Sequence, residues 1–176
     1  MLRNFDDLGR LIRFDHLDGE CRRRSRHQLL GRVFVDLSVT AANVALVSGG
    51  VNKDNVAGEA FTAGQVVYLK TSNNKWMKAQ CDGTAEEAGS GTVLGIALNT
   101  GVLNQPAAVQ ISGVINIGAT VTVGEIYLLS DTAGGIVPEA DITTSTERVL
   151  LIGIGATSAN IDMNVKPLTY TGYAIP

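Results

Sequence analysis

Residues 58–80, GEAFTAGQVVYLKTSNNKWMKAQ, lie over residues 118–140, GATVTVGEIYLLSDTAGGIVPEA, at an offset of 60. Gly58 falls on Gly118, Thr62 on Thr122, Gly64 on Gly124, Val66 on Ile126 and Leu69 on Leu129. Further on, VLGIAL (93–98) lies over LIGIGA (151–156) and sets Gly95 on Gly153. Each copy therefore reads as a glycine turn, a T-x-G turn, a strand, a polar hairpin turn and a returning strand. A long loop and an apolar strand interrupted by glycine complete it. Gly64 and Gly124 suit the positive φ of a tight turn entering a strand. Gly95 and Gly153 mark a bend or a close backbone approach inside a strand, as Gly113 marks a bulge.

Working outward from these units, the remaining chain has the same grammar. VFVDLSV (33–39), RVLLIGIGAT (148–157) and IDMNVKPL (161–168) read as strands, and AAVQISGVINIG (107–118) as a further strand or a bent pair. SGGVN (48–52) is turn chemistry and CDGTAEEAGSG (81–91) a polar loop. No segment after residue 40 offers a long amphipathic helix. The 20 glycines, the 5% aromatic content and the recurring Val, Ile and Thr agree with this reading. The expected fold is mainly β: a small Gly-rich β-barrel or sandwich from two similar β-meander repeats (58–98 and 118–156), with an N-terminal arm. At 176 residues the chain suits one compact domain with an appendage.

Charge separates the two parts. Residues 1–35 hold eight arginines against five acids, a net of +3; residues 36–176 hold six bases against twelve acids, a net of −6. Residues 1–34 read as a basic arm, a short helix or extended, and residues 35–176 as the β domain. The arm could dock on an acidic surface or a nucleic acid, with Arg13, Arg22, Arg23, Arg24, Arg26 and Arg32 as its candidate contacts. No apolar run reaches the length of a membrane span, and no secretory signal is legible at the N-terminus.

The residues offer little to catalysis. His16 and His27 both sit in the arm, so the body lacks the commonest general base and metal ligand. Cys81 has no histidine in the body to activate it, and Cys21 and Cys81 read as reduced thiols rather than a disulfide framework. No nucleophile elbow, phosphate-cradling loop or CxxC pair appears. Glu86, Glu87, Asp131, Glu139 and Asp141 are acids in loops or flanking a hairpin. A carboxylate pair among them would suit a hydrolase, but sugar binding also wants aromatic platforms and Trp76 is the one tryptophan. No catalytic residue, cofactor or metal is therefore expected. Function by surface is, with apolar area on RVLLIGIGATSANIDMNV (148–165) left for oligomerisation to cover.

The stretches AGEAFTAGQVVYLKTSNNKWMKAQCDGTAEEAGSGTVLGIALNTG (57–101) and AAVQISGVINIGATVTVGEIYLLSDTAGGIVP (107–138) resemble tailed-bacteriophage capsid decoration proteins of the cement or head-fibre type. The shared motifs are the T-A-G-x-V-V-Y strand entry and a V-h-G-h-A strand (h, hydrophobic), which the family's pattern follows with a V-x-V-x-x-x-G strand. The resemblance covers roughly residues 36–168 and excludes the arm, which departs from the family's pattern. It implies a non-enzymatic virion structural protein, assembled in the host cytoplasm and bound to the outer surface of the capsid. Its implied partners are the major capsid protein and further copies of itself, a trimer being favoured, with neither membrane nor direct nucleic-acid contact. A receptor- or glycan-binding module of a tail fibre or spike is the alternative, because such modules share this local grammar.

Overall fold

The computed structural model describes residues 35–139 and 148–167. The chain divides after Val33, and everything described belongs to the second unit, Phe34–Pro176. The expected arm, with its six candidate arginines, lies outside the described residues.

The described residues of the body form two six-stranded sheets. The first is built from β1 (Val44–Leu46), β8 (Gly113–Ile117), β12 (Asn160–Pro167), β11 (Leu150–Gly155), β9 (Ile126–Leu129) and β10 (Ile136–Pro138), in that order. The second runs β2 (Val51–Asn52), β7 (Val109–Gln110), β6 (Leu94–Ala97), β4 (Val66–Lys70), β5 (Lys75–Lys78) and β3 (Val56–Ala57). All ladders are antiparallel except β3 on β5. One short 3-10 helix, Ala41–Asn43, precedes β1.

The sheets pack face to face through one large core. Val66, Tyr68, Leu94 and Ile96 enter it from the β4 sheet; Ile115, Ile117, Tyr127, Leu129, Ile136, Ile152 and Ile161 enter from the β9 sheet. Burying a side chain of this size is worth about 1.5–3 kcal/mol, so this layer dominates the stabilisation. A second, smaller core lies on the other face of the β4 sheet. There Val67, Leu69, Trp76, Ala97 and Val109 are closed over by Ala57, Phe61 and Ala107. β4 is therefore buried on both sides, which is why VVYL is apolar without alternation.

One piece of each sheet matches one piece of the other in register at an offset of 60. In the β4–β5 hairpin Val67 pairs with Lys78 and Leu69 with Trp76. In the β9–β10 hairpin Tyr127 pairs with Pro138 and Leu129 with Ile136, so 127 − 67 and 138 − 78 both equal 60. β6 then lies beside β4 as β11 lies beside β9, with Val67 opposite Gly95 and Tyr127 opposite Gly153. The order within each piece is third strand, first strand, second strand, which corrects the expected meander. The 15 residues between β5 and β6 carry the chain back to the far side of β4, whose two apolar faces make it an interior strand.

Three further expectations change. VFVDLSV is not a strand over its described part; residues 35–40 are irregular, and Leu37 makes one main-chain bond to Ile136 at 2.8 Å. AAVQISGVINIG is a pair of strands, not one, and the pair divides between the sheets as β7 and β8, with the crossing at Ile111 and Ser112. Gly113, at φ 87°, opens β8 directly after that crossing. The apolar surface expected along residues 148–165 is mostly core: Leu150, Ile152, Ile161 and Met163 point inward, and Ile154 is the large side chain left out at 43% exposure.

Candidate functional site

Each acid singled out as a possible catalyst has a definable position where it is described. Glu86 and Glu87 sit in the β5–β6 loop, in a single helical turn whose backbone bonds include Ala88 to Thr84 at 3.0 Å. That turn carries a capping box. The Glu87 carboxylate accepts from the Thr84 amide at 2.7 Å while the Thr84 hydroxyl accepts from the Glu87 amide at 3.3 Å. The Glu86 carboxylate reaches the β4–β5 turn instead and accepts from the Thr71 amide at 2.6 Å. Hydrogen bonding from the Thr71 side chain, then from its amide, holds the Glu86 carboxyl below its ordinary value. Glu59, not singled out by sequence, accepts from the Lys78 amide at 2.5 Å. Glu59 thus fastens to strand β5, Glu86 to the β4–β5 turn, and Glu87 closes its own helical turn.

Asp131 accepts from the Ser130 hydroxyl at 3.1 Å beside the β9–β10 turn. Asp141 lies outside the described residues. Glu125 accepts from the Tyr127 phenol at 3.0 Å, and that phenol oxygen accepts from the Thr122 amide at 2.9 Å. Burial chiefly pushes the Tyr127 phenol up in pKa, and burial followed by repulsion from Glu87, Glu86 and Glu59 does the same at Tyr68. Both phenols stay protonated through neutral pH. No group of three or more His, Cys, Asp or Glu that could hold a metal occurs among the described residues.

Trp76 and Cys81 are both buried, at 0% and 1% exposure. Trp76 packs in the smaller core with Phe61 and Val109, so it offers no platform to a sugar. Among the described residues no helix is long and apolar enough to cross a membrane.

The six singled-out glycines serve two geometries. Gly64, Gly118 and Gly124 have φ of 90°, 71° and 81°. Gly58, Gly95 and Gly153 stand where a Cβ would collide with a neighbour. At Gly95 the obstacle is the Gln110 carbonyl and at Gly153 the Asp162 carbonyl, each on the adjoining strand. Glycine thus lets β6 approach β7, and β11 approach β12, closely.

What remains accessible is a surface of short loops and small exposed apolar groups. Val102 and Leu103 are 58% and 57% exposed on the loop after β6; Leu46 and Val47 are 46% and 54% exposed at β1. Sequence reasoning did not pick out either pair, since isolated Val and Leu in a Val-rich chain carry no signal. Comparison with protein-family models, with curated proteins and with solved structures finds no match.

Proposed function

We propose that this protein is a non-enzymatic virion structural protein that binds the outer surface of a phage capsid and stabilises the shell. The observation that carries the reading is how the body uses its carboxylates. Glu59, Glu86 and Glu87 each hold one of the chain's own backbone amides. A scaffold fastened in this way is suited to bearing load, and its surface is left as the working part. The motif resemblance of residues 57–101 and 107–138 supplies the class of partner, the major capsid protein.

Mechanistically, a stiff sandwich resists shear because its two sheets share one close-packed core. Seated across neighbouring shell subunits, it would raise the free energy of separating them by its own binding energy. The basic residues 21–27, CRRRSRH, would add charge-assisted bonds to shell carboxylates.

Cosedimentation with purified expanded capsids, followed by the capsid melting temperature, tests the reading. Binding with a raised melting temperature is expected; absence of binding overturns it. Removing residues 1–34 should weaken binding, and unchanged affinity would sink the tether role. The burial of Trp76 counts against the glycan-binding alternative, for which glycan binding without capsid binding would be the sign.

A further inference from the structure

Two stretches of the body carry no ionisable side chain, Leu37 to Asn52 and Ala88 to Gly124. The fold brings them together. β1 pairs with β8 and β2 with β7, and β1 and β2 each end the order of their sheet. Four residues, Val47 to Gly50, join β1 to β2, and two, Ile111 and Ser112, join β7 to β8. The two open edges therefore lie side by side. Leu46, Val47 and Ile111 are 46%, 54% and 37% exposed there, among exposed Ala42, Asn43, Ala45, Ser48, Gly49 and Ser112.

Open edges are ordinarily guarded by charge, above all by lysine, because an unpaired strand invites another chain. The opposite ends of both sheets follow that rule. β5 carries Lys75 and Lys78, and Lys53 and Asp54 precede β3. At β10 the Leu37 amide already caps Ile136, with Asp36 adjacent. Among the described residues the β1–β2 side carries no such charge. Val47 donates to the Val114 carbonyl at 3.1 Å. By antiparallel alternation the preceding residue, Leu46, turns its own N–H and C=O toward the open side.

We infer that the β1–β2 edge is a contact surface between copies of this chain. The charge pattern selects the occupant. A second copy brings the same uncharged surface, so the contact buries no unpaired ion and meets no like-charge repulsion, whereas a charged foreign surface finds no counter-ion here. Leu46, Val47 and Ile111 supply apolar contact, and the outward main-chain groups of Leu46 supply hydrogen bonds.

Sedimentation velocity of the full chain over a concentration series tests this without any capsid, so its outcome is separate from that of the proposed function. Reversible self-association of the wild type is expected. Val47→Lys and Ile111→Lys should each weaken it at least about tenfold, since like charges then face each other across the contact. Ala45→Lys, at an exposed residue, serves if either variant fails to fold, with the fluorescence of Trp76 reporting the fold. Val123→Lys, exposed on the β8–β9 turn, should associate as the wild type does. A wild type that stays monomeric throughout overturns the inference, as does folded Val47→Lys or Ala45→Lys protein associating with unchanged affinity.

Discussion

The side-chain amide nitrogen of Gln110 donates to the Ser48 carbonyl oxygen at 2.8 Å, tying β7 of one sheet to the segment that leaves β1 of the other. The same nitrogen lies 3.0 Å from the Ser112 carbonyl and 3.1 Å from that of Val114. Gln110 is fully buried, and its own side-chain oxygen has no hydrogen-bond partner. The amide is a donor set among acceptors at the point where the chain crosses between sheets.

Gln110→Leu removes the donor but also the unpartnered oxygen, and should cost about 1–2 kcal/mol by chemical denaturation. Gln110→Glu presents a carboxylate to three carbonyls at a fully buried position. It should cost more than about 3 kcal/mol at neutral pH, the penalty for an uncompensated buried charge. Equal losses for the two variants would show that the donor role is wrong.

Gly95→Ala and Gly153→Ala should each cost about 1–3 kcal/mol, because the new Cβ meets a main-chain carbonyl on the next strand that cannot rotate away. Gly124→Ala is the comparison. Its Cβ enters open space and only the φ of 81° resists it, at about 1 kcal/mol. Thermal melts of the three variants should rank Gly124→Ala as the mildest.

The Trp76 indole nitrogen is buried without a hydrogen-bond partner. Trp76→Phe therefore loses volume but also relieves an unsatisfied donor, and should cost well under the roughly 3–5 kcal/mol expected of Trp76→Ala. Wild-type emission should be that of an indole shielded from water, shifting red in one step on unfolding.

Glu86 makes stability depend on acid. Its folded-state pKa lies below the ordinary value of 4.5, so its contribution is complete above that value and is lost as pH falls through the lower, folded-state pKa. Glu86→Ala should lower the melting temperature at neutral pH. The variant and the wild type should converge as pH falls below the ordinary carboxylate range. A gap that persists undiminished at low pH would assign the effect to packing rather than to the carboxylate.

Several elements were legible because local chemistry alone dictates them. QVVYLK, TSNNK and KWMKAQ gave β4, its turn and β5, since β-branched and aromatic runs bounded by Asn and Ser have few other solutions. T-x-G before β4 and β9 announced the positive φ of Gly64 and Gly124. The order of strands was not legible. That β6 returns beside β4 rather than β5 depends on which strand has two faces to bury. The crossing at Ile111 and Ser112 was equally hidden, because a bent strand and a change of sheet share one sequence signature.

The roles of the carboxylates were hidden too. Glu86 and Glu87 are neighbours in a polar loop, yet one holds the β4–β5 turn and the other its own helical turn. Contacts between residues 15 apart, such as Glu86 and Thr71, follow from the path of the chain and from no local pattern.

By itself, the sequence determined the β class, the glycine turns and the spacing of two similar hairpins sixty residues apart. Only the tertiary structure decided which way those hairpins face. Val66 and Tyr68 of the first point into the large core, whereas in the second it is Tyr127 and Leu129, the counterparts of Val67 and Leu69. A period of two identifies the buried face only when the other face is polar. VVYL and IYLL are apolar on both, so the choice fell to the layers packed against them. Those same layers set β1 and β2, two short uncharged strands, side by side at an open edge.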